Sequence, residues 1–331
     1  MSASRRGLRR PTRRAAAALS GLTAACAALL ISVPLASAAS PNLYAVSDAG
    51  GTQVAGNGVS GIAHLGPGRY EVTFAQDVSK CAYVATTKNA YSQAIQVFTA
   101  GGHNSPQGVY VETKNQGGGL TDGPFHLAVD CGQTGMQFAV VDYEGKLARS
   151  TAGATISTLG TGRYNVTFPS SVSTCSYLAT VGDPGNAIAL APNNVSTGSS
   201  SAGGNTVYVE TKNPGGGLSS GVPFHLAVVC PSAKNAKTLV VDTNGMPARG
   251  SALTSSFSSS TGEYTLATNR DVSSCAAIAT RGSATKAVPF DPGTVELTPG
   301  PAANTIGVET RNLLFFGGTP TSEAFHSALI C

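Results

Sequence analysis

The chain contains no tryptophan, three methionines and only 11% charged residues, and aromatics make up 6% of its 331 positions. So little charge excludes coiled coils and helix-rich bundles, which are built largely from Glu, Lys, Arg and Leu. A hydrophobic fraction of 41% with a formal net charge of +4 excludes a charge-driven disordered chain. Even that charge is unevenly placed. Arg5, Arg6, Arg9, Arg10, Arg13 and Arg14 stand together near the start with no acid among them. Setting these six aside leaves 15 basic against 17 acidic residues, so no basic stripe remains to neutralise the phosphates of a nucleic acid. Neither His-Glu-x-x-His nor Cys-x-x-Cys occurs. Gly56-Asn57-Gly58-Val59-Ser60-Gly61 matches the dinucleotide-binding fingerprint as a string, but no helix is expected after it.

Residues 1–38 read as an export signal. The arginine-rich start is followed by an apolar run from Ala15 to Leu35 and then by Ala36-Ser37-Ala38, the small-x-small pattern of a cleavage site. Ser4-Arg5-Arg6-Gly7-Leu8 leaves the Sec and twin-arginine routes both open. The run continues well past Cys26, unlike a lipoprotein site, and Gly21, Ser32 and Pro34 interrupt it, so cleavage near Ala38 is expected rather than a membrane anchor. No later stretch reaches the ~20 apolar residues of a membrane span. The mature protein is therefore expected to be secreted and extracellular, with no membrane span.

The remainder repeats. Gly68-Arg69-Tyr70-Glu71-Val72-Thr73-Phe74 returns as Gly162-Arg163-Tyr164-Asn165-Val166-Thr167-Phe168 and, more faintly, as Gly262-Glu263-Tyr264-Thr265-Leu266. Each copy is followed by Val-Ser-x-Cys, ending at Cys81, Cys175 and Cys275. Val109 to Asn115 matches Val207 to Asn213 and Ile306 to Asn312, and each copy closes on a Phe-His strand ending in Cys131, Cys230 or Cys331. A unit of nearly one hundred residues is long enough to hold its own core. The expected architecture is a signal at 1–38 followed by modules at 39–131, 132–230 and 231–331. Apolar and polar residues alternate with period two, and glycine turns after Asp48, Asp142 and Asp242 punctuate the strands. The fold class that follows is all-β: three tandem β-sandwich modules, Ig-like or jelly-roll-like, of about seven short strands each. A rod and a compact single-chain pseudo-trimer both fit the short joints.

Six of the seven cysteines fall two to a module. Spacing alone allows many pairings. A repeated unit carrying two cysteines most simply bonds them internally, which gives Cys81–Cys131, Cys175–Cys230 and Cys275–Cys331.

The strings Gly-Arg-Tyr-x-Val-Thr-Phe, Val-Ser-x-Cys-x-Tyr-x-Ala-Thr and Phe-His-Leu-Ala-Val-x-Cys resemble a module of secreted tandem-repeat proteins of actinobacteria, a family of no settled activity. The resemblance covers nearly all of the chain after the signal. The third copy departs from it at Glu263, Ala277 and Ser327. It implies a secreted, disulfide-bonded β domain and carries no catalytic residues.

Few residues are left as candidates for chemistry. His126, His225 and His326 recur at one position. Each reads as a structural histidine at a sheet edge or module joint, since one histidine per module supplies too few ligands for zinc. Glu112, Glu210 and Glu309 share strand parity with Lys114, Lys212 and Arg311, and read as ion pairs along a solvated face; a general acid would need a second recurring carboxylate. Tyr110 and Tyr208 fall on that same face and, with Glu112, Lys114, Glu210 and Lys212, form the candidate interaction surface. The expected function is a secreted, non-catalytic structural or adhesive protein that binds an extracellular protein partner, with no cofactor and no metal. The alternative is a carbohydrate or cell-wall binder recognising an envelope polysaccharide.

Overall fold

In a computed structural model the described residues are 42–88, 94–187, 191–250, 254–258, 262–286, 291–313 and 318–331. The export signal read at 1–38 lies outside them. No helix among the described residues is long and apolar enough to cross a membrane, and every regular element is a strand.

The first module shows the plan. Its strands are β1 (Leu43–Ser47), β2 (Gln53–Asn57), β3 (Val59–Gly66), β4 (Arg69–Phe74), β5 (Ala82–Thr87), β6 (Ile95–Gly101), β7 (Gly108–Asn115) and β8 (Phe125–Asp130). They form two four-stranded antiparallel sheets, an inner one in the order β2-β1-β8-β5 and an outer one in the order β3-β4-β7-β6. The first and last strands lie side by side, and the strands number eight rather than about seven. The extra strand comes from β2 and β3, where Gly56 and Gly58 dilute the apolar alternation that marks a strand. The same two strand orders are built in the second and third modules from 136–229 and 236–330.

Alternation decides which side chains meet between the sheets. Tyr70, Val72 and Phe74 of β4, Val109 and Val111 of β7 and Phe125, Leu127 and Val129 of β8 form one buried cluster. Tyr164, Val166, Val207, Val209, Phe224 and Leu226 repeat it in the second module, and Tyr264, Leu266, Val308, Phe325 and Leu329 in the third. The tight turn after β1 needs a left-handed residue, which is Gly51 at φ 82°, matched by Gly145 and Gly245. Asp48 fixes that turn by accepting the Thr52 N–H at 2.7 Å. The bridges Cys81–Cys131, Cys175–Cys230 and Cys275–Cys331 join each module's own two cysteines.

The sandwiches do not form a rod. Residues 39–331 make a single compact unit. A further apolar cluster takes Tyr44, Val84 and Ala128 from the first module, Met136, Leu178 and Ala227 from the second, and Ala276, Ile278 and Ala328 from the third. The inner sheets thus face one another around a shared axis. Asn194–Ser199 of the second outer sheet pairs in parallel with Ala276–Lys286 of the third inner sheet, merging the two into one eight-stranded sheet. Parallel bridges Thr99–Gly182 and Lys88–Leu297 make the corresponding contacts at the other two joints.

The enclosed loops of 50, 55 and 56 residues each restrict the unfolded chain by about 4 kcal/mol in the loop-entropy picture. Replacing one pair, Cys175→Ala with Cys230→Ala, is expected to lower unfolding free energy by about 2–4 kcal/mol. Urea denaturation of the variant against the parent measures this.

Candidate functional site

The backbone of β5 poses the problem that the recurring polar side chains answer. It is an edge strand of the inner sheet, so alternate N–H and C=O groups have no strand beside them. Buried backbone groups without partners are costly, and β5 is buried along its whole length. The neighbouring module supplies the partners. His225 Nδ1 accepts the Tyr83 N–H at 2.9 Å. Thr180 Oγ1 accepts the Ala85 N–H at 2.8 Å and donates to the Ala85 carbonyl at 3.2 Å.

The same set closes the other two joints. His326 and Thr280 of the third module cap Tyr177 and Ala179 of the second, at 3.1 and 2.8 Å. His126 and Thr86 of the first cap Ala277 and Ala279 of the third, at 2.9 and 2.8 Å. Each module therefore caps its neighbour in one rotational sense, and the circle closes. Because Nδ1 accepts in every case, the neutral ring carries its proton on Nε2. That proton goes to the Asp183 carbonyl from His225 at 3.0 Å and to the Ser283 carbonyl from His326 at 3.1 Å. Burial, reinforced by nearby cations, pushes the pKa of His126 and His225 down to about 3 and that of His326 well below the usual range. No group of three potential metal ligands exists among the described residues.

Arginines reinforce two joints. Arg149 of the second module lies over the Tyr83 ring at 5.3 Å and donates from Nε to the Cys81 carbonyl at 2.8 Å. Arg249 of the third lies over Tyr177 at 4.6 Å and donates to the Cys175 carbonyl at 2.9 Å. At the joint between the first and third modules the matching positions hold Ala55 and Ala277. There Tyr44 of the first module donates its hydroxyl to the Ser274 carbonyl at 2.8 Å. In the third sandwich Ala277 and Ser327 replace larger residues and leave a void of about 10 Å³ beside Leu266, Leu297 and Val308.

The face carrying Tyr110, Glu112 and Lys114 is buried, not solvated, and so is its counterpart at Tyr208, Glu210 and Lys212. Parity separates the two faces of a strand correctly but is blind to a second module lying over one of them. Here the chain after Val181 runs along β6: Gly101 N–H donates to the Gly185 carbonyl at 2.7 Å, and His103 donates from Nε2 to the Asn186 carbonyl at 2.7 Å. The His103 ring in turn covers Tyr110, with centroids 4.1 Å apart.

Beneath that cover Glu112 takes the Tyr110 hydroxyl at 3.0 Å, Lys114 at 2.9 Å and Arg69 at 3.6 Å. Glu210 repeats this with Tyr208 at 2.6 Å, Lys212 at 3.2 Å and Arg163 at 3.3 Å. Burial, and then the adjacent carboxylate, hold the Tyr110 and Tyr208 hydroxyls above the usual tyrosine range, so both stay donors. In the third module Gly307 and Glu263 replace the tyrosine and arginine. Glu309 there meets Arg311 at 2.7 Å, and Glu296 accepts the Ile95 N–H of the first module at 2.7 Å.

Three features escape the sequence reading. The recurring threonines Thr86, Thr180 and Thr280 carry as much of each joint as the histidines, and the signal that could have marked them is their place in an Ala-Thr pair, five residues after the first cysteine of every module. Gly217-Leu218-Ser219-Ser220-Gly221 matches the nucleophile-elbow string. The structure places Ser219 in a loop, its N–H on the Thr211 carbonyl at 2.9 Å and its hydroxyl on the Ser220 carbonyl at 3.4 Å, with no helix following. The elbow geometry is absent. The third feature is a polar cavity on the shared axis, lined by Thr86, Thr180 and Thr280 and by residues that follow them. Comparison with known proteins found no matching family model, no similar curated protein and no similar solved structure.

Two outcomes are expected. Thr180→Val keeps the shape but leaves the Ala85 N–H and carbonyl without their partner, and is expected to cost about 2 kcal/mol, read as a lower urea midpoint at unchanged slope. Separately, each buried histidine has a folded pKa, about 3 for His126 and His225, that lies below its unfolded value near 6.5, so its contribution is complete above pH 6.5 and is lost as pH falls through the folded value. Each supplies a slope approaching about 1.4 kcal/mol per pH unit. Asp130 acts oppositely: burial raises its pKa from 3.8 to about 7, so its contribution declines as pH rises across that range. Three histidines outweigh one aspartate, so unfolding free energy is expected to drop on acidification from pH 6.5 to pH 4. Denaturation curves across that range check it, and Asp130→Asn is expected to steepen the drop.

Proposed function

We propose that this chain is a secreted, non-catalytic extracellular interaction protein, matured by removal of the signal at 1–38, that presents a rigid three-module block to a protein partner. The resemblance to secreted actinobacterial repeat proteins and the three internal disulfides support an oxidising, extracellular destination. The observation that carries the reading is how the recurrent polar side chains are used. His126, His225, His326, Thr86, Thr180 and Thr280 hold the modules together, while Glu112 and Glu210 are enclosed by their own ion pairs. Nucleophiles, acids and bases need access to a substrate, and these groups face protein.

What the block offers outward are hairpin tips. Leu65 and Leu159 stand at matched positions before the glycine turns of the first two outer sheets, 48% and 53% exposed. Apolar tips repeated on a rigid frame suit bivalent capture, in which the second contact forms at high effective concentration. The polysaccharide reading loses its aromatic platform, because Tyr110 and Tyr208 lie buried with their hydroxyls on Glu112 and Glu210.

Immobilised mature protein is expected to retain a protein from the culture medium of its source, and no insoluble peptidoglycan, chitin or cellulose. Leu65→Ser with Leu159→Ser is expected to reduce that retention by more than tenfold, and either change alone by less. Retention on a polysaccharide, or retention indifferent to both leucines, overturns the reading.

A further inference from the structure

The axial cavity has about 80 Å³ of space. Its floor is closed chemically, since Thr86, Thr180 and Thr280 each make both of their hydroxyl bonds to the neighbouring module. Above them stands a second ring with one residue from each module: Gln96, Asn194 and Thr294, which pair at one register position with Lys114, Lys212 and Arg311 across their outer sheets. They are 7%, 8% and 8% exposed. Gln96 Nε2 donates to Asn194 Oδ1 at 2.8 Å. That single bond leaves Gln96 Oε1, Asn194 Nδ2 and Thr294 Oγ1 buried with no protein partner. Arg281 lines the same cavity, and its Nε is likewise unpartnered.

Natural proteins leave few buried polar atoms unsatisfied, and four around one cavity call for an occupant. Its chemistry follows from theirs. Asn194 Nδ2 and Arg281 Nε donate, Gln96 Oε1 accepts, and the Thr294 hydroxyl does either, so an occupant must both accept and donate at several points. Hydroxyl groups do this. A bare anion does not, because it cannot satisfy Gln96 Oε1, and the Arg281 charge is already met by Glu323 at 2.8 Å. Val97, Val195 and Val295 supply apolar walls suited to carbon-bound hydrogens. By the ~10–15 Å³ one water needs, the space holds roughly half a dozen waters or one three-carbon polyol.

We propose that this axial cavity is a binding site for a small neutral polyol, held by Gln96, Asn194, Thr294 and Arg281. The site needs all three modules and is independent of the partner that the outer hairpins engage.

Glycerol is the probe. Titrated into the isotope-labelled mature protein, it is expected to move the Gln96 and Asn194 side-chain amide resonances along a saturating curve. Thr294→Val, which keeps the shape and removes the hydroxyl, is expected to weaken binding at least threefold with the rest of the spectrum unchanged. Gln96→Leu provides a second variant if that one does not fold. Removing one hydroxyl from the probe, as in 1,2-propanediol, is expected to weaken binding similarly. Shifts that rise linearly without saturating overturn the proposal, because the occupant is then water alone. Saturation by acetate in preference to glycerol also overturns it, by making the site an anion site centred on Arg281.

Discussion

An edge strand that cannot reach water governs the rest of this architecture. In the first two modules the fifth strand is buried, yet it stands at the border of its sheet with backbone donors that no strand pairs, and in the third the stretch 276–281 likewise precedes the pairing with Asn194–Ser199 that begins at Gly282. A free sandwich with such an edge would leave those groups unsatisfied or pair with another copy. Triplication in one chain resolves this, since each copy caps its neighbour's edge with one histidine and one threonine, and the third returns to the first. The histidines are neutral because the bond requires an acceptor at Nδ1. Burial enforces the same state, so hydrogen bonding and desolvation act in one direction.

That closure also accounts for the second face of the outer sheets. An isolated sandwich would expose Tyr110, Glu112 and Lys114. The adjoining module lies across them, and an enclosed carboxylate then requires countercharge and hydrogen bonds, which Lys114, Arg69 and Tyr110 provide. The third copy departs coherently. It loses the arginine and the tyrosine hydroxyl together, and Glu296 turns to the backbone of the first module instead.

Much of this was legible in the residues. The repeat delivered the cysteine pairing, and alternation put Tyr70, Val72 and Phe74 in a sandwich core. The burial of Glu112 and Tyr110 was not legible, because strand parity distinguishes two faces without saying what lies on either. Nor was the axial ring of Gln96, Asn194 and Thr294. Three different residue types stand at one structural position, and a repeat search rewards identity. Their common property is a polar group short enough to reach the axis, which appears only once the modules are placed.

One consequence concerns the order in which the chain can assemble. His225 and His326 reach back to segments made earlier, 142 and 149 residues upstream, whereas His126 and Thr86 of the first module wait for strands 151 and 193 residues downstream. The first two modules can dock as soon as the second is complete. The seam between first and last is the final contact to form, and it is the one without an arginine stacked on a tyrosine. It is also the one joint with no peptide linker across it. A ring built this way has a fixed fastening sequence, with its least reinforced edge closing last and opening first.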